Sequence, residues 1–191
     1  PKANSSQTYQ YNFKNALAVR PSVAIAVQDF SISGLGPHAF YVTPAQVSSS
    51  SITFSFAWTA PLWSKLRFNF WASANSQIQL GTSVVTNLNV VGNAATVTTS
   101  LQSAFSASDK PVIRAFINGY MSWGQVIQLA VAPSNLEGTT LSVKIMLGPT
   151  TNVTAIWLSY IAFSPSTTTF GAYGGAINKA AFSGSLDTDI S

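Results

Sequence analysis

Five carboxylates are all the acid this chain has: Asp29, Asp109, Glu137, Asp187 and Asp189. It has one histidine, His38, and no cysteine. A zinc site, an iron–sulfur cluster or a thiol nucleophile would need ligands the chain does not possess. A paired-carboxylate glycosidase would have to draw its pair from these five acids. A nucleophilic triad needs a base held against a serine and an orienting acid. No Gly-x-Ser-x-Gly elbow or phosphate loop occurs. His38 closes the turn-like run Gly34-Leu35-Gly36-Pro37-His38, where an isolated histidine is expected to be exposed. Gly171-Ala172-Tyr173-Gly174-Gly175 lacks the spacing and context of a dinucleotide loop. The expectation is a protein that is not an enzyme and needs no metal or cofactor.

The remaining chemistry is that of hydroxyls, amides and aromatic rings. Charged residues are 7% of the 191, whereas serine and threonine number 45 and asparagine and glutamine 21. A surface wetted this way is commoner outside cells than in cytosolic enzymes, so a secreted protein is expected. The formal charge of +4 comes from nine bases spread along the chain. Lys65 and Arg67 are the closest pair. A nucleic-acid surface requires a clustered basic stripe, so no nucleic-acid partner is expected. No apolar run approaches the roughly 18 residues of a membrane span, so no membrane insertion is expected. Pro1-Lys2-Ala3-Asn4 is not a signal peptide and reads as a processed or engineered start. Two glycosylation sequons begin at Asn4 and Asn152.

The segments that must position these groups have the period of strands. Ile52-Thr53-Phe54-Ser55-Phe56, Leu66-Arg67-Phe68-Asn69-Phe70 and Leu141-Ser142-Val143-Lys144-Ile145 alternate apolar with polar. They are short, rich in β-branched and aromatic residues, and separated by Gly, Pro, Ser and Asn. An all-β, antiparallel fold of sandwich type follows.

An internal repeat runs through these segments at an offset near ninety. Pro21-Ser22-Val23-Ala24-Ile25 lies beside Pro111-Val112-Ile113-Arg114-Ala115, and Thr43–Val47 beside Ala132–Leu136. Ser51–Phe56 lies beside Thr140–Ile145, and Ser64–Ala72 beside Thr154–Ala162. Phe13–Leu17 has a looser echo in Leu101–Phe105. Apolar parity agrees throughout, and a one-residue slip would turn a strand inside out. The expected organisation is two tandem β-sandwiches of about six strands each, at 1–75 and 96–164. A linker at 76–95 joins them, and a Ser/Thr/Gly-rich tail follows at 165–191. The tail is expected to pack along the sandwich or reach a neighbouring subunit.

The first unit reads Phe13, then Pro21–Asp29, then Ile52-Thr53-Phe54-Ser55-Phe56-Ala57-Trp58, then Leu66–Ala72. This resembles the H-type lectin domain of snail agglutinins and discoidins. The second unit resembles it through Asn135-Leu136 to Trp157–Phe163. The resemblance implies a six-stranded sandwich per unit, galactose or N-acetylgalactosamine binding, and homo-oligomers with glycans as partners. It implies that Asp29 bonds sugar hydroxyls and that Trp58, Thr59 and Trp63 form the binding edge. The chain departs from the family in three places. Ala39–Thr43 carries no arginine, Gly119 stands in place of Asp29, and Leu147 stands in place of Trp58.

Each residue has a plainer reading. A lone acid at a strand end is most often a turn-former, so Asp29 is open between turn and ligand. Trp58 and Trp63 bracket Thr59-Ala60-Pro61-Leu62. One is expected to fill the sandwich end and the other to stack on a sugar face, with the assignment open. Trp71, by parity with Ile161, is expected in the core or between the units. The alternative at the level of function is a structural subunit of an extracellular fibre, coat or matrix.

Overall fold

The computed structural model describes residues 5–32, 38–59, 63–106, 110–123, 128–164, 173–178 and 181–185, with the backbone alone at 5, 28–32, 63–65, 173–178 and 181–185. It is all-β, with no helix among the described residues. Strands run β1 (Ser5–Asn12), β2 (Ser22–Ile32), β3 (His38–Val47), β4 (Ser51–Trp58), β5 (Trp63–Ser73), β6 (Ile78–Thr86) and β7 (Ala94–Ser100). They continue with β8 (Val112–Ser122), β9 (Leu129–Glu137), β10 (Thr140–Leu147), β11 (Val153–Phe163), β12 (Tyr173–Asn178) and β13 (Ala181–Ser185). Three antiparallel sheets result, ordered β1-β4-β3-β8-β11-β6, β7-β10-β9 and β13-β12-β5-β2.

The alternation read from sequence becomes burial. In β4, Ile52, Phe54 and Phe56 are buried, and so are Leu66, Phe68 and Phe70 in β5. Their rings meet at right-angled or tilted contacts, Phe54 with Phe70 at 4.9 Å and Phe56 with Phe68 at 5.4 Å. Such geometry sets ring edges against π faces and adds about 0.5–1.5 kcal/mol per pair beyond area burial. Leu141, Val143 and Ile145 of β10 join the same core, together with Ile156, Leu158 and Tyr160 of β11.

The repeat holds at the level of register. Val23 pairs with Ala72 as Ile113 pairs with Ala162, ninety residues on. Val47 pairs with Ile52 as Leu136 pairs with Leu141, and Tyr9 with Phe54 as Val97 with Val143. Even the irregularities recur. The β2–β5 ladder skips Gln28, and the β11–β8 ladder skips Asn118. The β3–β4 ladder skips Ala45, and the β9–β10 ladder skips Ser134. A bulge re-aims the strand beyond it, so the two strand sets bend alike. Phe68 and Leu158 occupy matching places, opposite Val27 and Ile117.

Two features tie the sets together. The stretch expected as a linker contains β6, which pairs with β11, and the tail contains β12, which pairs with β5. Each strand that follows a fifth-position strand therefore pairs with the other set's fifth-position strand. The second tie is the short ladder between β3 and β8, from His38↔Ser122 to Tyr41↔Gly119. His38 is consequently 5% exposed rather than in an open turn, because β3 begins at this residue and lies against β8. On the outer face of β5, Trp71 stacks on Phe116 at 4.8 Å. That contact belongs to a second cluster with Ala24, Leu80 and Ile161, so Trp71 packs between the two sets.

Gly119 shows how tight the β3–β8 contact is. A Cβ there would collide with the Cβ of Tyr41 and lie 2.5 Å from the Phe40 carbonyl oxygen. Beside it, the Asn118 side chain donates to the Val42 carbonyl at 2.7 Å and accepts from the Ser159 hydroxyl at 3.2 Å. It thus carries on the link to β3 where the ladder stops, and its burial is matched by hydrogen bonds. Tyr41 and Trp157 flank Gly119 in the register and stack over it at 4.3 Å with planes 12° apart, covering the bare glycine.

Gly119→Ala is expected to destabilise the fold by about 3 kcal/mol, the upper end of overpacking costs, measured by urea denaturation. A loss below about 0.5 kcal/mol, the range of neutral surface changes, would show that β3 has room to retreat. Burial also raises the phenols of Tyr120 and Tyr160 above their ordinary value. In the unfolded chain these phenols ionise near 10. The folded state binds their protons longer, so this stabilisation is full below pH 10 and is lost as pH rises beyond it. Stability should hold through neutral pH and fall above about pH 10, measured as the urea midpoint by circular dichroism across that range. A midpoint unchanged well above about pH 10 would contradict this.

Candidate functional site

Of the residues expected to bind sugar, Asp29 and Trp63 belong to the β2–β5 pair, and Trp58 and Thr59 to the end of β4 in the six-stranded sheet. Asp29 stands directly opposite Arg67, and Ile32 opposite Trp63. Trp58 ends β4, opposite Phe40. It is 8% exposed and belongs to the main core, so its ring walls the sandwich end. Thr59 follows it, and its hydroxyl accepts from the Ala39 N–H at 2.7 Å and donates to the Ala39 carbonyl at 3.1 Å. Thr59 thus fastens the end of β4 to β3. The backbones of Asp29 and Trp63 are placed, and their side chains lie outside the described ones. Asn4 lies outside the described residues, and Asn152 is exposed beside β11.

Arg67 has no chemical role in the sequence reading beyond its nearness to Lys65. The resemblance directs attention to Ala39–Thr43 for an arginine, whereas the strand register sets Arg67 of β5 opposite Asp29. The signal was present: Arg67 and Trp157 are ninety apart, as are Asp29 and Gly119. Asp29↔Arg67 in one strand set is therefore the counterpart of Gly119↔Trp157 in the other.

The two positions have different neighbours. Beyond Gly119 lies β3, packed so closely that no side chain fits. Beyond Asp29 lies no further strand among the described residues, since β2 is the end of its sheet. An edge strand leaves unpaired N–H and C=O groups beside its side chains. An acid on such an edge strand, in register with an arginine on the next strand, brings an acceptor-only and a donor-only residue type to one strand pair, the two kinds of partner that a ligand's hydroxyls can use.

A groove of about 510 Å³ lies at the opposite end of the β2–β5 pair. Its polar rim is Arg20, Ser22, Asn75, Ser76, Thr82 and Gln102. Its apolar floor includes Pro21, Val23, Pro44 and Leu80. The Ser22 hydroxyl donates to the Ser73 carbonyl at 3.2 Å, and the Asn75 N–H donates to the Ser73 hydroxyl at 3.1 Å. Gly81 lies under the Tyr160 ring, 2.5 Å from where a Cβ would sit. The groove was not foreseen, because it is assembled from the ends of strands far apart in sequence.

Among the described residues, no group of three or more His, Asp and Glu could hold a metal ion. No helix among them is long and apolar enough to cross a membrane. No family model, curated protein or solved structure matches this chain.

Proposed function

We propose that this is a secreted, non-enzymatic carbohydrate-binding protein of H-type-lectin character, taking galactose- or N-acetylgalactosamine-type glycans at the Asp29 end of β2. The observation that supports this most is the contrast between equivalent positions. Gly119 is shut by β3, whereas Asp29 stands on a sheet edge opposite Arg67. In this reading each unit is a six-stranded sandwich completed by a borrowed strand, β1–β5 with β12 and β7–β11 with β6. Asp29 accepts from vicinal sugar hydroxyls and Arg67 donates to a ring or hydroxyl oxygen. Trp63 takes the stacking role, because Trp58 is in the core. Thr59 fixes the edge beside it. Asn152 is exposed and can carry a glycan.

One open site per chain binds weakly alone, so avidity requires several chains. A homo-oligomer is part of this reading. The same surface favours a second reading, a structural subunit of a fibre, coat or matrix. The edge strands β1, β6 and β7 carry no charged residue, and such edges are poorly guarded against pairing with another chain.

Asp29→Ala is expected to abolish N-acetylgalactosamine binding by calorimetry and leave the melting temperature within about 2 °C, as a surface change should. Binding that survives, or a protein that unfolds, would remove Asp29 from the site. Light scattering is expected to show a homo-oligomer at micromolar concentration that persists at high salt, since contacts made without ion pairs are little screened. A monomer, or dissociation on adding salt, would contradict the assembly. Open polymers in place of a closed ring would favour the structural reading.

A further inference from the structure

The groove at the Ser22–Ser73 end has a chemistry distinct from the Asp29 end. Its volume, about 510 Å³, lies in the range that encloses small organic ligands. Of its lining residues, Arg20 alone is charged, and among the described residues no carboxylate lines the groove. The exposed Arg20 side chain makes no hydrogen bond or ion pair among the described residues, which leaves its forked donors to solvent or a ligand.

The rim's other groups are partly committed in a way that leaves both donors and acceptors. The Asn75 carbonyl oxygen accepts from the Gln77 N–H at 2.9 Å, which leaves the amide NH₂. The Gln102 NH₂ donates to the Leu80 carbonyl at 3.3 Å, which leaves the amide oxygen. The Ser76 and Thr82 side chains are exposed. The floor is aliphatic, and the lining contains no aromatic ring on which a base could stack. Alternating hydroxyls and C–H groups with one fixed negative charge complement these walls. A nucleotide does not, since nothing in the lining cradles its base and no glycine-rich loop cradles its phosphates.

We infer that this groove is a second glycan site, for a short oligosaccharide bearing a uronic acid whose carboxylate is held by Arg20. The inference rests on the proposed glycan binding only for the class of ligand, and the two sites sit at opposite ends of β2–β5. Ser22 and Asn75 hold the wall, and Thr82, on an edge strand, flanks the mouth.

The test is calorimetry on the full chain with trigalacturonate and with neutral galactotriose. Trigalacturonate is expected to bind and galactotriose to bind at least about tenfold more weakly. Arg20→Gln should weaken trigalacturonate about tenfold or more, the loss of one charge-assisted contact, with galactotriose unchanged. Thr82→Trp should block both by filling the mouth. N-acetylgalactosamine should not compete. Equal affinity for the two trisaccharides, indifference to Arg20→Gln, competition by N-acetylgalactosamine, or no trigalacturonate binding would each overturn the site. If trigalacturonate binds with the Arg20 dependence while N-acetylgalactosamine binds nowhere, the groove is supported and the Asp29 reading fails instead.

Discussion

The closeness of β3 to β8 governs the molecule. Where Tyr41 faces Gly119, two strands from different repeats approach until only a hydrogen fits between them. That approach makes six strands into one sheet and buries His38. It also gives Asn118 a partner on β3 and draws Tyr41 and Trp157 into a stack. A glycine weakens a strand in isolation, since it forgoes side-chain packing. Here the neighbouring strand and the stacked rings supply the contacts its own side chain would have made.

The same joint makes the repeats unequal. A protein of two matched strand sets would ordinarily offer two matched edges. In this chain β3 covers the β8 edge, and β2 is left at the end of its sheet. The exchange of β6 and β12 compounds the effect, because neither strand set is complete without a strand from beyond its own repeat. The fold thus couples the halves and leaves the β2 edge open where its counterpart on β8 is covered. The sparse charge then leaves hydroxyls, amides and the few guanidiniums to define what the surface can hold.

Much of the fold was legible because the signal was local. Alternation in Ile52–Phe56 and Leu66–Phe70 encodes which face is buried, and the ninety-residue offset encodes the equivalence of ladders down to their bulges. The joins were not legible. β6 sits in a stretch whose Gly81-Thr82-Ser83 reads as a loop. Its place beside β11 is set by tertiary contact, with Gly81 needed under the Tyr160 ring. His38 was misplaced because a preceding Gly-Pro run signals a turn, whereas burial depends on β8, over eighty residues away. At the candidate site, Asp29 stands out in the sequence through the resemblance, whereas its pairing with Arg67 emerges only when the strands are placed in register. The core position of Trp58 follows from parity with Phe54 and Phe56 in the same strand. The groove at the Ser22–Ser73 end had no sequence signature at all.

The central claim is that one edge binds sugar because its counterpart is closed. The most direct measurement is a nuclear magnetic resonance titration of the labelled full chain with N-acetylgalactosamine. Backbone amides of residues 27–32 and the facing residues 65–68 should shift in a saturable way, with Ile117–Tyr120 unmoved. Shifts centred on β8, or none on the β2 edge at saturating sugar, would contradict the account.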